Sequence, residues 1–178
     1  MKRKKIIKSK GILFWITGLS GAGKTSIAKK LLNKIKKKYG PTIIISGDDL
    51  RKIFELKKYS FRERLKLSEK YCKLSKFITD QKINLIFATV AMMDKPRKWN
   101  RRNIKNYIEI YIKSDVKKII KEKKKKIYFN KKNTNLVGIN VKAEFPKNSD
   151  IVINNKFNIP ISKISDNLFN KINKLIYY

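Results

Sequence analysis

Gly18-Leu-Ser-Gly-Ala-Gly-Lys24-Thr25 is a complete G-x-x-x-x-G-K-[ST] sequence, the spacing of a loop that holds a nucleoside triphosphate. Its glycines let the backbone curl so that successive N–H groups face phosphate oxygens, and the following helix adds its positive end. Lys24 can reach the β- and γ-phosphates, and the Thr25 hydroxyl is placed to hold Mg²⁺. Gly18, Ser20, Gly21, Ala22, Gly23, Lys24, Thr25 and Ser26 are therefore the candidate ATP-binding set. A second group is Ser46-Gly-Asp48-Asp-Leu-Arg51. A carboxylate such as Asp48, beside a phosphate loop, can orient the metal or accept a proton from an attacking hydroxyl. Arg51, about one helical turn on, can grip an anionic acceptor. The same residues could also form a helix cap with a surface arginine. Lys24, Asp48 and Arg51 are the candidate catalytic residues, and Thr25 and Asp48 the candidate metal ligands.

The elements that must position these groups are legible as apolar runs. Strands are expected at Ile12–Ile16, Thr42–Ser46, Asn84–Val90, Tyr107–Ile112 and Asp150–Ile153, each β-branched and nearly continuous, as buried parallel strands are. Helices are expected at 24–38, 49–56, 61–81, 97–105, 115–124 and near 162–176. This alternation predicts an α/β fold, a P-loop NTPase-type three-layer sandwich with a five-stranded parallel sheet and helices on both faces. Ligands then sit beyond the carboxyl ends of the strands. The chain is expected to be one domain, 1–178, with a basic N-terminal tail over 1–10. Lys121–Asn135, densely charged and without an apolar face, is expected either as a lid over the phosphates or as a solvated loop. The last helix is expected to close the core, a dimer face being the alternative.

Composition removes several classes of function. The chain has no histidine, which excludes Ser-His-Asp triads and cysteine–histidine zinc sites. Its one cysteine, Cys72, has no partner for an internal disulfide and is expected as a packed thiol in a cytoplasmic protein. No window reaches the roughly 18 apolar residues of a membrane span. The net charge of +33 invites a nucleic-acid reading. However, only 7 of the 46 basic residues are arginine, and the lysines are spread over nearly every segment. Specific nucleic-acid modules concentrate arginine and aromatics on one surface, so no specific nucleic-acid partner is expected.

A phosphate loop does not by itself separate a switch, an ATPase and a small-molecule kinase. Taken with Gly47-Asp48-x-x-Arg51, Tyr59-Ser60-x-x-Glu63-Arg64, Leu136-Val-Gly138-Ile139 and Glu144-x-Pro146-x-Asn148-x-Asp150, the chain resembles adenylyl-sulfate kinases over roughly residues 11–155. The resemblance implies transfer of the ATP γ-phosphoryl group to a ribose 3′-hydroxyl, with adenosine 5′-phosphosulfate as the default small nucleotide acceptor. It also implies Mg²⁺ as cofactor, and kinases of this kind often form homodimers. Carried across by position, Asp48 lies near the metal and the acceptor hydroxyl, Arg51 and Arg64 hold the acceptor's phosphate-bearing part, and Tyr59 stacks on its base. Lys125 is the lid lysine, though any of Lys123 to Lys126 could serve. Leu67, Thr89, Leu136 and Val137 complete the acceptor set.

Departures fall on that acceptor side. Leu67 stands where the family has an asparagine, and Leu136 replaces the second stacking aromatic. Asn140-Val141 replaces an acidic pair, and Ala88-Thr-Val-Ala-Met-Met93 replaces an Ile-Ser-Pro turn. The Ala-Thr-x-Ala-Met element, followed by Trp99-Asn-Arg, resembles a branch acting in bacterial surface-polysaccharide pathways, some members of which look like cytidine diphosphoramidate kinases. Losing one aromatic and one polar base contact suits a smaller pyrimidine, and drift in a permissive pocket would look the same. Other P-loop kinases, of the nucleoside monophosphate or shikimate type, and a basic nucleotide- or RNA-binding protein are the remaining readings.

Overall fold

The computed structural model describes residues 3–55, 60–123, 137–138, 141 and 143–177. In chain order the elements are β1 (Lys4–Lys5), β2 (Leu13–Thr17), α1 (Lys24–Tyr39), β3 (Thr42–Ser46), α2 (Gly47–Ile53), α3 (Phe61–Asp80), β4 (Asn84–Thr89), α4 (Asp94–Asn103), β5 (Tyr107–Lys113), α5 (Val116–Lys123), β6 (Ile151–Asn154), α6 (Ile161–Leu175) and β7 (Ile176–Tyr177). Five strands form a parallel sheet in the order β3-β4-β2-β5-β6. Since β2 lies at the centre, the loop that follows it emerges in the middle of the sheet's carboxyl edge.

Side chains alternate across this sheet, as a strand's period of two requires. Phe14, Ile16, Ile86, Ile108, Ile110 and Ile112 pack on one face against Ile27, Leu31 and Ile35 of α1 and Ile164, Leu168 and Ile172 of α6. Leu13, Trp15, Leu85, Phe87 and Tyr107 pack on the other against Tyr71, Cys72 and Ile78 of α3. The three-layer α/β expectation is met. The last helix closes the core through Ile164, Leu168, Ile172 and Leu175, and Cys72 is buried. Burial, and to a lesser degree the Glu69 charge, push its thiol up to about 12.

Two helices, expected at 49–56 and 97–105, lie instead at Gly47–Ile53 and Asp94–Asn103, and their starts have a physical reason. α2 begins at Gly47, directly after β3, because the Ser46 side chain caps it by accepting the Asp49 N–H at 3.1 Å. α4 begins at Asp94 rather than 97, because Pro96 falls within its first turn, where proline's missing N–H costs nothing. Residues 4–10 are pinned rather than trailing. β1 pairs in parallel with β7, Ile6 is buried, and the Asn106 side chain bonds the Ile7 N–H, the Ile7 carbonyl and the Lys10 carbonyl at 2.8–2.9 Å. Among the described residues, no helix is long and apolar enough to cross a membrane.

Candidate active site

The phosphate loop is built by close contacts at its two ends. Gly18 has φ +150°, and a Cβ there would lie 2.5 Å from the Ile112 carbonyl oxygen of β5, so only glycine lets the chain leave β2 at this angle. Gly23, at φ +88°, ends the loop and starts α1 without a side-chain cap. The first N–H groups of a sixteen-residue helix are thus directed at the loop, as anion binding requires. Lys24 is buried, and its Nζ donates to the Leu19 carbonyl at 2.7 Å, closing the loop on itself. Thr25 is half-buried and Ser26 exposed. From beyond β6, buried Asn155 supports the loop: its Nδ2 donates to the Ala22 carbonyl at 3.0 Å, while its Oδ1 accepts the Phe157 N–H. Sequence reasoning missed Asn155. Its signal was a pair of asparagines closing an otherwise apolar strand.

The second wall comes from the ends of β3 and β4. Asp48 and Asp49 lie exposed in the first turn of α2, where the helix dipole favours carboxylates. Gly47 presses against β4, since a Cβ there would sit 3.0 Å from Thr89 Oγ1 and 3.6 Å from the Tyr71 ring. Tyr71 also donates its hydroxyl to the Gly47 carbonyl at 3.2 Å. These contacts bring the Asp48 turn beside Thr89. Arg51 is half-buried one turn further on. Arg64 is half-buried near the start of α3, a helix capped by Ser60 through the Glu63 N–H. Leu67 is half-buried against the cluster containing Leu50 and Tyr71. Tyr59, Lys125 and Leu136 lie outside the described residues, as does the expected lid beyond Lys123.

Val137 joins Met92 and Tyr111 in a small buried cluster, with Val90, Val141 and Ala143 packed on it. Thr17 ties this cluster to β2, its Oγ1 donating to the Ala91 carbonyl at 3.4 Å and touching Met92 Sδ at 3.5 Å. Gly138 has φ +89°, and a Cβ there would meet Leu19 Cδ2 at 2.7 Å. The strip carrying Val137 therefore leans on the phosphate loop itself. Burial raises the Tyr111 phenol above its ordinary value, against a smaller pull down from Arg97, so this wall is uncharged at neutral pH. Met92 fills this cluster and is 1% exposed, and Trp99 is a half-buried helix residue on the sheet.

Asp48, Asp49 and the Thr25 hydroxyl are hard oxygen donors that fit Mg²⁺. Among the described residues no cluster of three acidic or thiol ligands occurs.

Comparison with known proteins agrees with this arrangement. A cytidine diphosphoramidate kinase of Campylobacter jejuni is 37% identical over 152 residues, 84% of this chain and 89% of that protein. An adenylyl-sulfate kinase of Clostridium acetobutylicum is 28% identical over 158 residues, 85% and 78% of the two chains. The structure of the Mycobacterium tuberculosis APS kinase in complex with AMPPNP and APS superposes with a TM-score of 0.79 at 19% identity, covering 92% of this chain and 98% of that one, which supports the fold. The sequence model of adenylylsulphate kinase matches residues 10–154. A phosphate loop at the sheet centre, a carboxylate turn at the same edge of the sheet and a match over most of the chain lead to one conclusion: this chain belongs to the adenylylsulphate kinase family of P-loop phosphotransferases.

Proposed function

We propose that this nucleotide kinase transfers the ATP γ-phosphoryl group to the ribose 3′-hydroxyl of a cytidine diphosphate derivative, cytidine diphosphoramidate being the first acceptor to test. The observation that carries the choice is the 37% identity to a cytidine diphosphoramidate kinase, against 28% for an adenylyl-sulfate kinase over a similar length. Leu67 and Leu136, in place of a polar contact and an aromatic, agree with a smaller base. Adenylyl sulfate is the second reading, supported by the family match.

Each residue has a definite part in an in-line transfer. Loop N–H groups and Lys24 hold the β- and γ-phosphates, and Lys24 must exchange its bond to the Leu19 carbonyl for one to phosphate. Thr25 and Asp48 would hold Mg²⁺, which when bound neutralises phosphate charge. Asp48 orients the acceptor hydroxyl and takes its proton. Arg51 and Arg64, with Tyr59 and Thr89, clamp the acceptor, and Lys125 with its neighbours, in a lid over about 121–135, offsets charge as the site closes. We place the whole of 1–178 in one kinase domain, working in the cytoplasm where ATP is available.

The test is ATP-to-ADP turnover with cytidine diphosphoramidate and adenylyl sulfate offered in parallel, the product read by phosphorus NMR. A 3′-phosphate on the cytidine compound is the expected result. Turnover on adenylyl sulfate alone overturns the acceptor assignment, and turnover on neither overturns both.

A further inference from the structure

Glu109 is a charged residue in the middle of the apolar strand β5, and it is 4% exposed. A carboxylate so placed needs partners. It accepts from the Tyr107 hydroxyl at 3.1 Å and the Ser149 hydroxyl at 3.1 Å, and pairs with Arg101 at 3.2 Å. Arg97, also 4% exposed, approaches it at 3.7 Å. Arg101 and Lys4 further pair with Asp150, which accepts the Glu109 N–H at 2.8 Å.

Arg97 does more than balance this charge. Its guanidinium donates to the Glu144 carbonyl at 2.8 Å and the Ala91 carbonyl at 3.4 Å, and it pairs with Asp94. Glu144 answers in kind. Its N–H donates to the Met92 carbonyl at 2.9 Å, and its carboxylate accepts the Asp94 N–H at 2.6 Å. One buried guanidinium thus bolts the turn after β4 to the segment that follows Val137. That segment carries Val137 onto Met92 and Gly138 onto Leu19 of the phosphate loop.

We propose that Arg97 and Glu144 are positioning residues for the acceptor: their clasp sets the separation between the Thr89–Met92 floor and the Val137–Gly138 strip. Its bonds run to Ala91, Met92, Asp94 and Glu109, and it reaches the phosphate loop at second hand, through Gly138, so its loss should act more on the acceptor than on ATP. The planar fork of arginine reaches two carbonyls and a carboxylate together, which a lysine ammonium does not reproduce. This inference rests on the kinase reading above, and the experiment separates the two.

Hydrogen exchange comes first, because it needs no acceptor. In Arg97→Lys the Asp94 and Glu144 amides should exchange at least about tenfold faster, the loss expected when bonds to a charged group are removed. The Ile27 amide of α1 should be unchanged. Equal exchange at Asp94 and Glu144 overturns the clasp whatever the acceptor proves to be. Kinetics follow, with the acceptor that the wild-type chain turns over. Arg97→Lys should raise the acceptor KM by about tenfold or more and move the ATP KM by much less. Glu144→Ala should do the same, and Glu144→Gln, which keeps an oxygen for the Asp94 N–H, should recover part of the loss. Leu168→Ala, a core truncation remote from the clasp, should lower Tm without moving the acceptor KM. An unchanged acceptor KM in both clasp variants, or a rise matched by Leu168→Ala, overturns the proposal while leaving the function standing. A wild-type chain inactive on both acceptors overturns the function, and the exchange result still decides the clasp.

Discussion

The phosphate loop and the wall proposed to hold the acceptor are built in opposite ways. Nine consecutive residues, Gly18 to Ser26, make the first, and its shape follows from three glycines at positive φ and the helix behind them. The second draws on α2, α3, the turn after β4 and the strip at Val137–Gly138, separated by up to about ninety residues and held together by tertiary contacts such as Tyr71 to Gly47 and Arg97 to Glu144. A contiguous motif is set by local sterics, so its chemistry survives change elsewhere. An assembled wall changes with every segment that supports it, which is why a family can keep its reaction and alter its acceptor.

The sharpest test of the division is Asp48→Asn. It should lower kcat by about 10²–10⁴-fold, the range for loss of a positioned acid or base. ATP affinity, measured by calorimetry, should be retained, and wild-type turnover would remove Asp48 from the chemistry. Gly138→Ala addresses a place where the two sides touch. Strain at φ +89° and the Leu19 contact should cost about 1–3 kcal/mol, and KM values for ATP and acceptor should rise together. A rise in the acceptor KM alone would show that Leu19 does not transmit the strain. Arg64→Ala should raise the acceptor KM by about tenfold with little effect on ATP, as loss of a charged hydrogen bond predicts. Equal effects on the two would move Arg64 off the acceptor wall.

The smallest effect belongs to neither side. The Asp80 carboxyl is held below its ordinary value by the Lys76 hydrogen bond and then by Lys10. A carboxylate with a lowered native pKa contributes stability above its unfolded pKa, and loses it as pH falls through the native one. Asp80→Asn should therefore flatten the fall of Tm with pH below about 4, with both KM values unchanged at neutral pH. A Tm profile parallel to that of the wild type would show that this exposed pair contributes nothing measurable.

How legible all this was follows the same division. All five sheet strands and the long helices α1 and α3 fall within a residue of their apolar patterns, because a buried strand or an amphipathic helix declares itself locally. Pro96 misled the start of α4, since proline reads as a stop while its first-turn position makes it a start. Lys4–Lys5 and Ile176–Tyr177 are too short to carry a period, and only their mutual pairing makes them strands. Arg97 sat unnoticed within a basic stretch, although Glu109, a lone acid among buried apolar residues, was the sign that a buried cation must exist. Its identity depended on which helix crosses β5, and no local pattern states that.

The pairing of β1 with β7 also orders events during synthesis. Lys4 and Lys5 leave the ribosome long before their partners Ile176 and Tyr177, which follow α6. Through most of translation the first strand has no edge to join, and Ile6 has no finished pocket. The phosphate loop, by contrast, meets its Ile112 neighbour once β5 has been made and gains its Asn155 support just after β6. The phosphate loop can therefore be supported before β7 has reached β1, and ATP, by binding it there, would act as a folding ligand before it acts as a substrate.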